Sequence, residues 1–183
     1  MSDTFMTADS HFFHKNILKF CPTTRKGCDE LEMNELMIES WNKKVKREDI
    51  VYHLGDVSFG STGDTSKILS RLNGKIHLIE GNHDHKMIKD HTCRSRFDSI
   101  QPYLKIKMGN VDVILMHYAM RIWDKMHYGS YHLYGHSHNS MEHTPYGKSM
   151  DVGVDTRSDM SLWSWDEIDF ILRNREKLGH HGD

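Results

Sequence analysis

Short apolar runs punctuate this chain, and several stop abruptly in side chains that can bind a metal or move a proton. Residues 4–8 run into Asp9-Ser10-His11, and residues 50–54 into Gly55-Asp56. Residues 75–80 run into Gly81-Asn82-His83-Asp84-His85, residues 111–116 into His117, and residues 131–134 into Gly135-His136-Ser137-His138. Length, composition and flanking turn residues predict β-strands for all five. Helical periodicity fills the gaps. Ile17, Leu18 and Phe20 predict a short helix starting near His14 and stopped by Pro22. Asp29 caps a long helix through about Val45, with Leu31, Leu36, Met37, Ser40 and Trp41 along one face. Residues 65–72 predict a third helix, and Asn73-Gly74 a tight turn. Ser164 followed three residues later by Glu167 is a capping box that opens a closing helix to about Lys177. Residues 21–29, with Pro22, two threonines and Gly27, read as a surface loop.

The strand–helix alternation of the first half predicts an α/β domain with a mainly parallel sheet, in which ligands collect beyond the carboxyl ends of the strands. From about Ser99 the texture changes. Residues 103–108, 111–116, 131–134 and 150–154 read as strands joined mostly by turns or short loops, with a hairpin signal at Gly109-Asn110. They predict a second, more antiparallel sheet packed on the first. At 183 residues the chain is expected to form a single domain over its whole length.

Composition changes this picture in one respect. Fifteen histidines raise the expectation of a metal site, imidazole being the commonest protein metal ligand. The tail pair His180-His181 reads as a frayed end instead. A formal charge of −2 argues against a broadly basic surface for long duplex nucleic acid, while leaving room for a local basic patch. Cys21, Cys28 and Cys93 match no zinc-ribbon spacing and predict reduced thiols in a cytoplasmic protein. No apolar run approaches a membrane span, and the N-terminus lacks the features of a signal peptide.

Oxygen and imidazole donors without thiolates suit Mn²⁺ first, with Fe²⁺, Zn²⁺ or Ni²⁺ as alternatives, in an open site. Asp9, His11, Asp56, Asn82, His117, His136 and His138 are too many for one ion. They fit two if a carboxylate bridges, an arrangement that polarises a phosphoryl group and generates a hydroxide between the ions. His83, beside Asn82 and needed in neither ligand set, is the candidate acid for the leaving oxygen. His53 and His77, alone on strands, are expected to be hydrogen-bonded core residues.

The order Asp9-x-His11, Gly55-Asp56, Gly81-Asn82-His83-Asp84, His117, Gly135-His136-x-His138 resembles the calcineurin-like metallophosphoesterase superfamily across residues 9–138. The resemblance implies a four-layer α-β-β-α sandwich of two mixed sheets flanked by helices, with a dinuclear site at one edge. It assigns Asp9, His11, Asp56 and His138 to one metal, and Asp56, Asn82, His117 and His136 to the other. In the catalytic pair, His83 protonates the leaving group and Asp84 orients or caps.

Asp56 is followed by Val57-Ser58-Phe59-Gly60, and Asp84 stands where the superfamily's serine/threonine protein phosphatases have Glu, which disfavours a protein phosphatase. The superfamily's double-strand-break nucleases are longer and carry a DNA-capping domain. Only eighteen residues separate His117 from His136, so no inserted cap is expected. The expected activity is therefore hydrolysis of a phosphodiester or small nucleotide-type ester, possible partners extending to short nucleic acids. A phosphomonoesterase and a non-catalytic metal-containing binding module are the alternatives. His14 and Arg121 are the candidate substrate contacts, with Asn16, His85 and Tyr118 also close in sequence to the motifs; Trp123 is expected to be a core or rim aromatic.

Overall fold

A computed structural model describes residues 2–141 and 146–179; the His180-His181 pair lies outside them. In chain order the elements are β1 (Thr4–Thr7), α1 (Ile17–Phe20), α2 (Glu30–Lys44), β2 (Ile50–His53), α3 (Thr62–Leu69) and β3 (Lys75–Ile79). Then come α4 (His85–Lys89), α5 (His91–Arg94), β4 (Ser99–Gln101), β5 (Tyr103–Met108) and β6 (Val111–Met116). The chain closes with β7 (Tyr131–Tyr134), β8 (Ser149–Asp151), β9 (Trp163–Ser164) and α6 (Trp165–Arg173).

The strands form two mixed sheets flanked by helices. The first runs β4-β3-β2-β1-β9 and the second β5-β6-β7-β8. Period-2 alternation sends neighbouring residues to opposite faces, so Phe5, Val51 and Leu78 join α2 and α3 in one core. Met6, Leu54 and Ile79 join Val113, Leu115, Leu133 and Met150 in another, between the sheets. Ile168 and Leu172 of α6 are wholly buried in that second core. A small third cluster of Ile114, Trp123 and Met126 backs the second sheet, which is where the aromatic expected in a core or rim lies.

Four expectations need correction. The second sheet is mainly parallel: only β5 and β6 pair antiparallel, across the Gly109-Asn110 turn, whereas β6–β7 and β7–β8 are parallel. The connections after β6 and β7 are each longer than a dozen residues, enough for a parallel return. The buried face of α2 is Met33, Asn34, Met37, Ile38 and Trp41, and Leu31 is exposed. Helix α3 starts earlier than its apolar periodicity indicates, because the Ser61 side chain accepts from the Asp64 amide and caps it. The capping box at Ser164 and Glu167 is present, but α6 stops at Arg173.

Parallel pairing has the consequence that matters for function. β1, β2 and β3 run the same way, as do β6, β7 and β8, so the motif loops leave the sheets at corresponding ends. The Ala8–Gly153 bridge stitches the sheets together there. His53 behaves as expected, with Nε2 2.8 Å from Ser10 Oγ, and His77 Nδ1 lies 2.8 Å from Ser99 Oγ.

His132 is a further structural imidazole. It is fully buried, with Nδ1 donating to the Ile114 carbonyl and Nε2 accepting the Met120 amide. Burial pushes its pKa down to about 4. A proton on Nε2 would face the Met120 N–H, so the unfolded chain protonates first and stability is lost as pH falls from about 6.5 toward 4. Urea unfolding between these pH values should show His132→Phe losing roughly 3 kcal/mol less than the wild type. Equal acid losses in both proteins would contradict this role.

Candidate metal centre

The site is built by loops that remain paired after their strands end. Asp9 N–H donates to Gly55 O, His11 N–H to Asp56 O and Phe12 N–H to Val57 O, which holds the first two motifs in register. Asp84, fully buried, clamps the third motif onto the second: its carboxylate accepts the amides of Asp56, Val57 and Gly81 at 2.8–2.9 Å. A side chain at Gly81 would collide with the Asp56 carboxylate, so close approach of these loops requires glycine there. Asp84 therefore orients, and its side chain caps no helix.

The backbone at the motif residues is unusual. Asp9, His11, Asp56, His136 and His138 all have φ between 46° and 64°. Left-handed conformations cost non-glycine residues on the order of 1–3 kcal/mol each and cluster at functional sites. They turn each side chain back across the strand ends.

Two groups result, Asp9 with His11 and His138, and Asp56 with His117 and His136, the potential ligand atoms of each lying within 4.8 Å of one another. Asp56 Oδ2 is 3.5 Å from both His11 Nε2 and His117 Nε2, so it stands between the groups. Asn82 Oδ1 lies 3.1 Å from His117 Nε2. The structure thus brings all seven candidate ligands to one edge. His83 borders them, its Nε2 4.0 Å from Asp56 Oδ2 and its side chain 45% exposed. His14 is half-buried beside His11, 3.1 Å between their Nδ1 atoms, with its ring stacked on Phe59. Arg121 is exposed and lines a different cavity, with Met120, Tyr134 and Tyr146.

The polar groups here fit a bound cation. Asp9 Oδ1 and His11 Nε2 are buried without a hydrogen-bond partner, a costly arrangement unless a positive charge completes it. Burial, reinforced by the Asp151 carboxylate, pushes Asp9 up to about 8, and burial pushes the His11 imidazole down to about 4. Burial would also raise Asp56, but the imidazoles of His11 and His117 and the His83 amide outweigh it and hold this carboxyl below its usual range. Burial works against a charged His117, yet the Asp56 carboxylate and the Leu54 carbonyl raise its pKa. The anions attract a proton to a place where a metal can compete for the same lone pair.

Two imidazoles are held in the same way, with Nδ1 engaged and Nε2 left to ligate. His117 Nδ1 is 2.7 Å from Leu54 O, and His138 Nδ1 is 2.7 Å from Asp155 Oδ2. Asp155 belongs to a network that sequence reading missed. Arg25, with a fully buried side chain, donates to both Asp155 oxygens at 2.8 Å and to the backbone carbonyls of Asp9 and Ser10. The loop expected on the surface therefore sends its arginine inward. Asp151 orders the last motif by accepting from Ser137 Oγ, the Asn139 amide and, through its other oxygen, the Gly153 amide. A third metal-type group, Cys21 with His138 and Asp155, shares His138, and its carboxylate is already neutralised by Arg25.

Comparison with known proteins identifies a family and several relatives. The model of the calcineurin-like phosphoesterase superfamily domain matches residues 6–151. An uncharacterized protein of Methanocaldococcus jannaschii is 41% identical over 86 residues, which cover 46% of this chain and 48% of that protein. The gene 66 protein of Mycobacterium phage L5 is 28% identical over 212 residues, covering 99% of this chain and 100% of the phage protein. A protein of unknown function from Aquifex aeolicus has a similar structure, with a TM-score of 0.73 at 23% identity over 93% of this chain and 100% of that one. An archaeal phosphodiesterase shares the fold with a TM-score of 0.50 at 19% identity, over 82% and 83% of the two chains.

The Arg25–Asp155 pair generates two expectations. Arg25→Met leaves a buried carboxylate unpaired and should cost about 3–5 kcal/mol in urea unfolding. Asp155→Asn should weaken Mn²⁺ binding about 10- to 100-fold, read by titration of the folded variant. An unchanged titration would remove Asp155 from the support of His138.

Proposed function

Because the chain belongs to the calcineurin-like phosphoesterase superfamily, metal-dependent hydrolases of phosphate esters, we propose that it cleaves phosphodiester bonds in a small nucleotide-type substrate with two divalent cations bound. Asp9, His11, Asp56 and His138 would hold one cation, and Asp56, Asn82, His117 and His136 the other. The observation that carries the reading is the position of Asp56 Oδ2, buried and equidistant from an imidazole of each group. Cations bound there supply Lewis acidity that draws charge from a phosphoryl oxygen and makes water nucleophilic at neutral pH.

His83 delivers the proton to the leaving oxygen. Its amide donates to Asp56 Oδ1 at 2.9 Å, so one peptide ties the acid to the shared ligand, while its half-exposed ring remains open to a substrate. Asp84 keeps that peptide in place from beneath. His14 is the proposed phosphate contact, whereas Arg121, expected to be a second, lines the separate cavity beside Met120 and Tyr134; the Tyr118 hydroxyl, 3.3 Å from Asn82 Oδ1, steadies the amide ligand. Phe59, His83, Tyr118 and His136 are all exposed, and a rim that open on both sides admits the two alcohol groups of a diester.

With Mn²⁺ added, bis-p-nitrophenyl phosphate should be hydrolysed faster than p-nitrophenyl phosphate. The reverse preference would indicate a monoesterase, and no turnover of any ester a binding module. His83→Ala should lower kcat by about 10²-fold or more at unchanged metal content, and retained activity would exclude His83 as the acid. Asp56→Ala should deplete both metals together, whereas loss of one alone contradicts a shared ligand.

A further inference from the structure

A cavity of about 170 Å³ opens directly behind His83, bounded by Phe59, Gly60, Thr62, Lys86 and Met87. We propose that it is the leaving-group subsite, and that it takes a nucleotide unit bearing its own phosphate, so that the preferred substrates are single-stranded oligonucleotides. The inference rests on the proton-donor role given to His83: the group that receives that proton must depart on the side of phosphorus where His83 stands.

The cavity's shape and chemistry select this occupant. Its volume is close to the ~150 Å³ that accommodates one benzene ring, so it holds one ring of the leaving nucleotide, with the nucleotide's own phosphate outside it at Lys86. One wall is the Phe59 ring, 40% exposed, whose centroid lies 4.5 Å from that of His83 and 4.1 Å from that of His14, at an interplanar angle of 12° to the latter. Three imidazoles, those of His11, His14 and His83, fix this ring, and its exposed part is a surface against which a base or sugar ring can rest. Met87, buried, supplies an adaptable apolar floor.

Lys86 adds the charge requirement. It is exposed at the cavity, and its side chain makes no hydrogen bond or ion pair among the described residues. Beyond it, α4, α5 and the turn that follows expose Lys89, Arg94 and Arg96, likewise without ion pairs among the described residues, in a chain whose formal charge is −2. Lys86, Lys89, Arg94 and Arg96 outnumber the acidic Asp90 and Asp98 of the same stretch, a balance that suits a short polyanion continuing past the cavity. An ester of an uncharged alcohol would leave Lys86 unused.

The test compares wild type with Lys86→Met in two measurements. The first is kcat/KM for a thymidine dinucleotide carrying a terminal phosphate on its leaving nucleoside, relative to the same dinucleotide without it, with both chain polarities assayed. The wild type should favour the phosphorylated form about tenfold, and the variant should lose that preference. The second is calorimetric binding of thymidine 3′,5′-bisphosphate, whose Kd should rise about tenfold in the variant and further in Lys86→Glu. An equal preference in both proteins, or an affinity indifferent to residue 86, overturns the subsite. A protein that binds the bisphosphate through Lys86 but cleaves no ester keeps the subsite and refutes the hydrolase reading. Hydrolysis of bis-p-nitrophenyl phosphate without any Lys86 effect does the opposite.

Discussion

Everything at the functional edge depends on a concentration of buried carboxylates and imidazoles that the polypeptide leaves electrostatically incomplete. Asp9 and Asp56 are almost fully buried, and Asp151 and Asp155 lie close behind them. Asp155 has its arginine and Asp84 its amides, but Asp9 Oδ1 and His11 Nε2 have no hydrogen-bond partner among the described residues. Burying such groups costs several kcal/mol unless a cation or proton compensates. Burial and the neighbouring Asp151 carboxylate raise the pKa of Asp9 accordingly.

The fold exists to hold this arrangement together. Five of the nine non-glycine residues with left-handed φ, among those described, are candidate ligands. Such backbone survives only where surrounding contacts over-determine it. Here those contacts are the extended pairing beyond β1 and β2, the Asp84 clamp between loops, the Arg25 fork on the carbonyls of Asp9 and Ser10, and Asp151 beneath the last motif. Most of the buried polar chemistry thus fixes the direction of a few side chains, leaving stability to the two apolar cores.

Much of this was legible in the sequence because strands that end in ligand-type residues carry a signal at both levels. Apolar runs located β1, β2 and β3 to within about a residue, and the motif residues that follow them converge in space as the parallel arrangement requires. What was hidden depends on long-range partners. Arg25 sits in a stretch whose Pro, Thr and Gly content looks like solvent-facing loop, and nothing local reveals that Asp155 lies opposite it. β9 has two residues and β4 three, too few for periodicity to register. The direction of the second sheet could not be read because a hairpin signal at one turn says nothing about the longer crossovers that follow. On α2, Met33 and Asn34 take the buried face in place of Leu31, and Asn34 Oδ1 accepts the Phe13 amide just past the first motif, a long-range partner that local periodicity does not reveal.

The central claim is that the unpaired donors at this edge belong to a cation pair sharing Asp56. Anomalous diffraction from crystals grown with Mn²⁺ tests it most directly. The account predicts two peaks, one bounded by Asp9, His11 and His138 and the other by Asn82, His117 and His136, with the Asp56 carboxylate coordinating both. A single peak, or manganese bound elsewhere with this edge empty, would contradict it.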